Sequence, residues 1–133
     1  ITFDDGYVDN YTNAFPILKK YHLKATVFVV TGFLSKRKGY LTWDQVREME
    51  KSGVTIESHT VTHAALPELP DDRIREELVE SKRQAVSELG HPVEFIAYPT
   101  GAHDLHWSRP YGRSAHAQGR RRCCCGQHCC TSP

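Results

Sequence analysis

Ala25-Thr26-Val27-Phe28-Val29-Val30 is an unbroken run of β-branched, aromatic and small apolar residues. Runs of this kind suit a parallel strand covered on both faces. Working outward, Ile1-Thr2-Phe3 reads as the end of an earlier strand, and a helix is expected from about Asn13 to Tyr21. Asn13 is placed to cap that helix, and Pro16 falls in its first turn, where a missing N–H is tolerated. Downstream, Thr42 and Gln45 spell a T-x-x-Q capping box ahead of a helix from Trp43 to Ser52, and Gly53 supplies its stop. Val54-Thr55-Ile56 gives a third strand. A long helix opens at Asp71 or Asp72 and ends at Gly90, with Ile74, Leu78, Ala85, Val86 and Leu89 as its buried stripe. Phe95-Ile96-Ala97-Tyr98 reads as a fourth strand, closed by Pro99 and Gly101. Strand and helix in alternation predict an α/β fold with a parallel sheet. About four strands are too few to close a ring, so the expectation is a partial (β/α) barrel over residues 1–104.

The 133 residues carry a net charge of +1, which averages two unlike pieces. Residues 1–104 hold 12 Lys and Arg against 16 Asp and Glu, a net of −4; residues 105–133 hold 5 Arg and no acid, a net of +5. All five Cys, at Cys123, Cys124, Cys125, Cys129 and Cys130, fall in that last stretch, where Leu105 is the one aliphatic residue larger than Ala. A segment so poor in apolar residues is expected to stay disordered, because burial cannot offset the entropy lost on ordering. Its Arg, Gly, Cys and His richness without period fits a coding frame-shift. A soft-metal tract with His128 is the competing reading, but consecutive Cys lack the paired spacing of a structural zinc site. No run is long enough to span a bilayer, and Lys36-Arg37-Lys38 reads as a solvated loop rather than a nucleic-acid contact.

Two segments fall at the carboxyl ends of expected strands, where open α/β sheets and barrels put their chemistry. Asp4-Asp5-Gly6 follows the first, and Ser58-His59-Thr60-Val61-Thr62-His63 follows the third. His59 and His63 lie four apart, so a helical turn or a tight loop can bring both imidazoles to one side. Zinc accepts sets of two His and one carboxylate while leaving positions open for water. An Asp-Gly turn needs only one Asp, so the second is available to handle protons. Together they read as a hydrolase centre.

TFDDG, SHTVTH and a later AYPTG resemble, in order, the first three motifs of the polysaccharide deacetylases, the carbohydrate esterases that act on chitooligosaccharides and peptidoglycan. The KATVFVV and LTWDQVREME stretches are also similar to that family, and the resemblance covers about residues 1–104. It implies a distorted (β/α) barrel and one divalent metal ion, usually zinc. By resemblance Asp4 is the general base, and Asp5, His59 and His63 are the metal ligands. Thr100 after Pro99 lends a backbone N–H to the oxyanion, and Tyr98, Pro99 and Gly101 line the substrate. The implied reaction removes acetyl from an N-acetylated polysaccharide or oligosaccharide, outside the cytoplasm or at the cell surface.

Three departures go with the resemblance. Ala97 stands where the family commonly has an Arg that braces the catalytic Asp, and Thr100 where an aromatic is usual. Beyond Asp104 neither the fourth motif nor the fifth, which supplies a His as general acid, is recognisable; Trp107, His106, His116 and His128 match no local pattern. The sequence therefore predicts impaired deacetylase turnover by this chain. The rival readings are a remnant that binds metal or carbohydrate without turnover, and a tail that binds metal or nucleic acid by itself.

Overall fold

In the computed structural model, residues 1–101 are described. Three parallel strands, β1 (Thr2–Phe3), β2 (Thr26–Val29) and β3 (Thr55–Ser58), form a sheet in the order β1-β2-β3. Register pairs Phe3 with Val27 and Val27 with Ile56. Three helices follow the strands in turn: α1 (Phe15–Lys20), α2 (Trp43–Lys51) and α3 (Asp71–Leu89).

The core lies between the sheet and α1 and α2. Val27, Val29 and Ile56 pack there with Phe15 and Leu18 of α1 and with Val46 and Met49 of α2; Leu34 and Leu41 close it from the β2–α2 connection. The apolar run at 25–30 does form the central strand. It is fully covered on one face only, since Thr26 and Phe28 on the other are half-buried. Thr42 caps α2 as its sequence announces: its hydroxyl accepts the Gln45 N–H at 3.2 Å, and the Gln45 side chain accepts the Thr42 N–H at 2.9 Å.

Four expectations are corrected. The first helix does not begin at an Asn13 cap. A π-helical turn, Asn10–Ala14, leads into α1, and the Phe15 N–H reaches back five residues to the Asn10 carbonyl. Pro16 lacks an N–H and its ring crowds the carbonyl four residues earlier, and a widened turn ahead of it relieves that crowding. The third strand sits slightly later than Val54–Ile56 and takes in Ser58. The expected fourth strand shrinks to one parallel bridge, Ser58 with Ile96, made by the Ser58 N–H to the Phe95 carbonyl (3.2 Å) and the Ala97 N–H to the Ser58 carbonyl (3.0 Å). Finally, the buried stripe of α3 is Ile74, Glu77, Ser81 and Ala85, while Leu78, Val86 and Leu89 are half-buried. The expected boundary near Asp104 and everything anticipated for 105–133 lie outside the described residues.

Candidate metal centre

The strands end at one edge, and the chemistry gathers there. Asp4 and Asp5 leave β1 directly, with Asp5 in the left-handed region (φ 70°) and Gly6 following at φ 76°. The turn folds over the end of β2, where a Cβ on Gly6 would stand 3.1 Å from Val29. His59 follows β3 immediately, and its N–H bonds the Val29 carbonyl at 2.9 Å. The next residues form a tight loop rather than a helical turn, with Thr60 (φ 69°) and His63 (φ 62°) both left-handed. That loop lies close against the end of β2: Gly32 donates to the Val61 carbonyl at 3.0 Å, and a Cβ on Gly32 would come within 2.4 Å of the same oxygen.

Asp5, His59 and His63 converge. Asp5 Oδ1 stands 3.3 Å from His59 Nε2 and 3.0 Å from His63 Nε2, and the candidate donor atoms all lie within 4.8 Å of one another. Nevertheless this buried oxygen receives no hydrogen bond. A buried carboxylate oxygen without a partner is costly, and its placement against two imidazole nitrogens suits a cation between them. The second ring nitrogen agrees with this. His59 Nδ1 lies 2.9 Å from the Ala97 carbonyl, which fixes the proton on Nδ1 and turns the Nε2 lone pair toward Asp5. Burial pushes the His59 imidazole below its ordinary range, with the Ala97 carbonyl opposing, and so favours the neutral ligand form. The donor set therefore fits a divalent metal, and one His₂-carboxylate group of this kind is what zinc sites use.

Asp4 lies beside the cluster. Burial pushes its carboxyl above the usual range; the His59 field opposes this, the Asp5 charge adds to it, and His63 opposes it more weakly. Its Oδ1 is buried and also without a hydrogen bond. Of the segment after the Ile96 bridge, Pro99 is buried, Thr100 is left-handed (φ 60°) with its hydroxyl donating to the Pro99 carbonyl at 2.6 Å, and Gly101 bonds the Tyr98 carbonyl at 3.0 Å. Ala97 contributes through its backbone, which is why the residue type at that position gave no hint of the contact. A cleft of about 430 Å³ lined by Phe15, Leu18 and Val54 lies at the amino ends of the strands, away from this cluster.

Sequence reasoning missed several groups. Tyr7 packs against Tyr40 with the rings tilted and their centroids 4.9 Å apart, and its phenol, held chiefly by Tyr40 and also facing Asp5, is pushed up to about 12. Glu57 is buried on β3 and accepts the Glu94 and Phe95 N–H groups, each at 2.9 Å, which anchors the segment that carries Ala97. Burial pushes its carboxyl up, against those two N–H groups. Ser58 bonds Ser81 at 2.9 Å beneath the loop, and Glu77 grips the loop from α3. Glu57 gave no signal, because the strand expected from the sequence ended one residue before it, at Ile56.

An α/β sheet with two imidazoles and a carboxylate gathered at its carboxyl edge defines a class, that of α/β proteins whose strand ends carry a candidate metal site. Within that class the chain matches the polysaccharide deacetylase family over residues 1–116, and it belongs to that family. YxkH of Bacillus subtilis, which carries the polysaccharide deacetylase name, is 41% identical over 104 residues, covering 78% of this chain and 37% of its own length. A poly-β-1,6-N-acetyl-D-glucosamine N-deacetylase of Staphylococcus aureus is 30% identical, covering 76% of this chain and 39% of its own. Among solved structures, the Streptococcus pyogenes deacetylase PplD in complex with acetate superposes with a TM-score of 0.76 at 38% identity, over 78% of this chain and 46% of that one. The chain thus spans less than half the length of these relatives. Among the described residues no helix is long and apolar enough to cross a membrane.

Proposed function

We propose that this chain carries the metal-binding part of a deacetylase centre for N-acetylated carbohydrates. The observation that carries the reading is the buried Asp5 Oδ1, unbonded and within 3.3 Å of His59 Nε2 and 3.0 Å of His63 Nε2. Asp5, His59 and His63 would hold the cation, with zinc favoured by the donor set. A bound divalent cation polarises a carbonyl and acidifies water, which is the chemistry amide hydrolysis needs.

The chain's own residues supply a base and an oxyanion donor, while no described residue is assigned as the acid that protonates the leaving amine. Asp4, partly desolvated and with an unengaged oxygen, is the base that takes the proton of the attacking water. The Thr100 N–H, set by its left-handed turn, is a donor for the developing oxyanion. Tyr98, Pro99 and Gly101 shape the adjoining wall. The N-acetylglucosamine polymer in the name of the staphylococcal relative, and acetate bound to the streptococcal one, support an N-acetylated glycan as substrate and acetate as product. Action on a glycan outside the cytoplasm, which the family resemblance implies, is part of the same proposal.

Metal titration of the full chain followed by acetate release from N-acetylglucosamine oligomers tests the reading. One zinc per chain is expected, lost in Asp5→Ala and His63→Ala. Asp4→Asn should keep the metal but lower the rate by about 10²–10⁴, the usual worth of a general base. Zinc binding without acetate release from any N-acetylated glycan would instead support a binding remnant, and no zinc binding would overturn the centre itself.

A further inference from the structure

His59 and His63 are separated by three residues that cross the left-handed region at Thr60 and arrive at His63 in it again. Such backbone persists only where its surroundings over-determine it. The carbonyl side of the loop is held by the residues that follow β2, through the Thr31 N–H to the Thr60 carbonyl (3.1 Å) and the Gly32 N–H to the Val61 carbonyl (3.0 Å). Ser58 Oγ accepts the Thr60 N–H at 3.3 Å, and the next two N–H groups, of Val61 and Thr62, are both held by one side chain from α3. Glu77 of α3 is 4% exposed; its Oε2 accepts the N–H of Val61 at 2.8 Å and of Thr62 at 2.9 Å, and its Oε1 accepts the Thr62 hydroxyl at 2.6 Å. All three bonds fall on the two residues just before His63. Inside the loop, the His63 N–H bonds the Thr60 hydroxyl at 3.1 Å.

We infer that Glu77 is a positioning residue that sets the metal affinity of the His59–His63 pair by fixing the loop between them. This rests on the metal-centre reading above. Glu77 grips the backbone and one hydroxyl rather than either imidazole, so it acts through loop geometry. A glutamine can reproduce the pattern, with its oxygen accepting the two N–H groups and its amide donating to the Thr62 hydroxyl. An alanine leaves both N–H groups without a partner and frees the loop.

Zinc titration by calorimetry, with the visible spectrum of the cobalt-substituted full chain as a second readout, tests this on wild type, Glu77→Ala and Glu77→Gln. Supporting partners of metal ligands are typically worth 10–100-fold in affinity. That loss is expected for Glu77→Ala, with an altered cobalt spectrum and a retained circular dichroism profile, and Glu77→Gln should recover most of it. Wild-type affinity in a folded Glu77→Ala overturns the inference, as does a Glu77→Gln as weak as the alanine variant. If Glu77→Ala does not fold, Thr62→Val removes only the part-buried hydroxyl bond; a loss of roughly 2- to 10-fold supports the role and unchanged affinity overturns it. A wild type that takes up no zinc defeats this and the metal-centre reading together, whereas a wild type that binds alongside unaffected variants defeats this alone.

Discussion

At the scale of single residues, His59 carries the sharpest pH consequence. Burial holds its imidazole neutral in the folded chain, so its folded pKa lies below the unfolded value. Stability from this group is therefore fully present above the unfolded pKa, about 6.5, and is lost as the pH falls toward the folded one. Asp4 has the opposite sign: its carboxyl is raised, so its contribution is present at acid pH and lost as the pH rises. In metal-free protein, melting temperature should fall between pH 7.5 and 5.5 more steeply for wild type than for His59→Asn. Equal slopes would mean that the imidazole titrates as it does in water. These residues were legible in the sequence because Asp-Asp-Gly and His-x₃-His stand at the ends of β1 and β3, on the one edge of the sheet where the loops from its strands meet. The Ala97 carbonyl was not, since a backbone acceptor leaves no trace in residue type.

At the scale of elements, the second strand and the α2 capping box followed from local chemistry, because both depend on residues adjacent in the chain. The first helix was misplaced because the cost of Pro16 is relieved by a widened turn, which period counting at 3.6 does not represent. The stripe of α3 was misread for a related reason. Glu77 and Ser81 face inward to bond the His loop and Ser58, and a hydrophobic pattern assigns both to solvent. The fourth segment was over-read: its apolar run suggested a strand, but it is held by one bridge and by the Glu57 side chain. That makes Glu57 the anchor of the segment. Glu57→Ala leaves two N–H groups unpartnered and should destabilise the fold by about 1–3 kcal/mol in urea unfolding. Glu57→Gln keeps an acceptor and should lose less; a glutamine variant as unstable as the alanine one would show that charge, not the hydrogen bonds, holds Glu94 and Phe95.

At the scale of the whole molecule, the core beneath the sheet and the centre at its edge are separate, so metal and fold should couple only through the ligand loops. Zinc at 100 times its dissociation constant should add about 2.7 kcal/mol to unfolding free energy. Thermal melts with and without the ion check this, and Asp5→Ala should abolish the increment. The TFDDG, SHTVTH and AYPTG segments all lie within residues 1–101, so every candidate site residue falls in the described part of the chain. Asp5, Thr60, His63 and Thr100, none of them glycine, all adopt left-handed backbone at the same edge. At roughly 1–3 kcal/mol each, these four positions place a conformational debt where the chemistry is and none of it in the core. His22 and Ser35 carry the same backbone away from the centre, so breeding this protein for heat tolerance could relax those two without harm, whereas trading Thr60 or Thr100 for glycine or asparagine would leave survivors sturdier and worse at holding an ion.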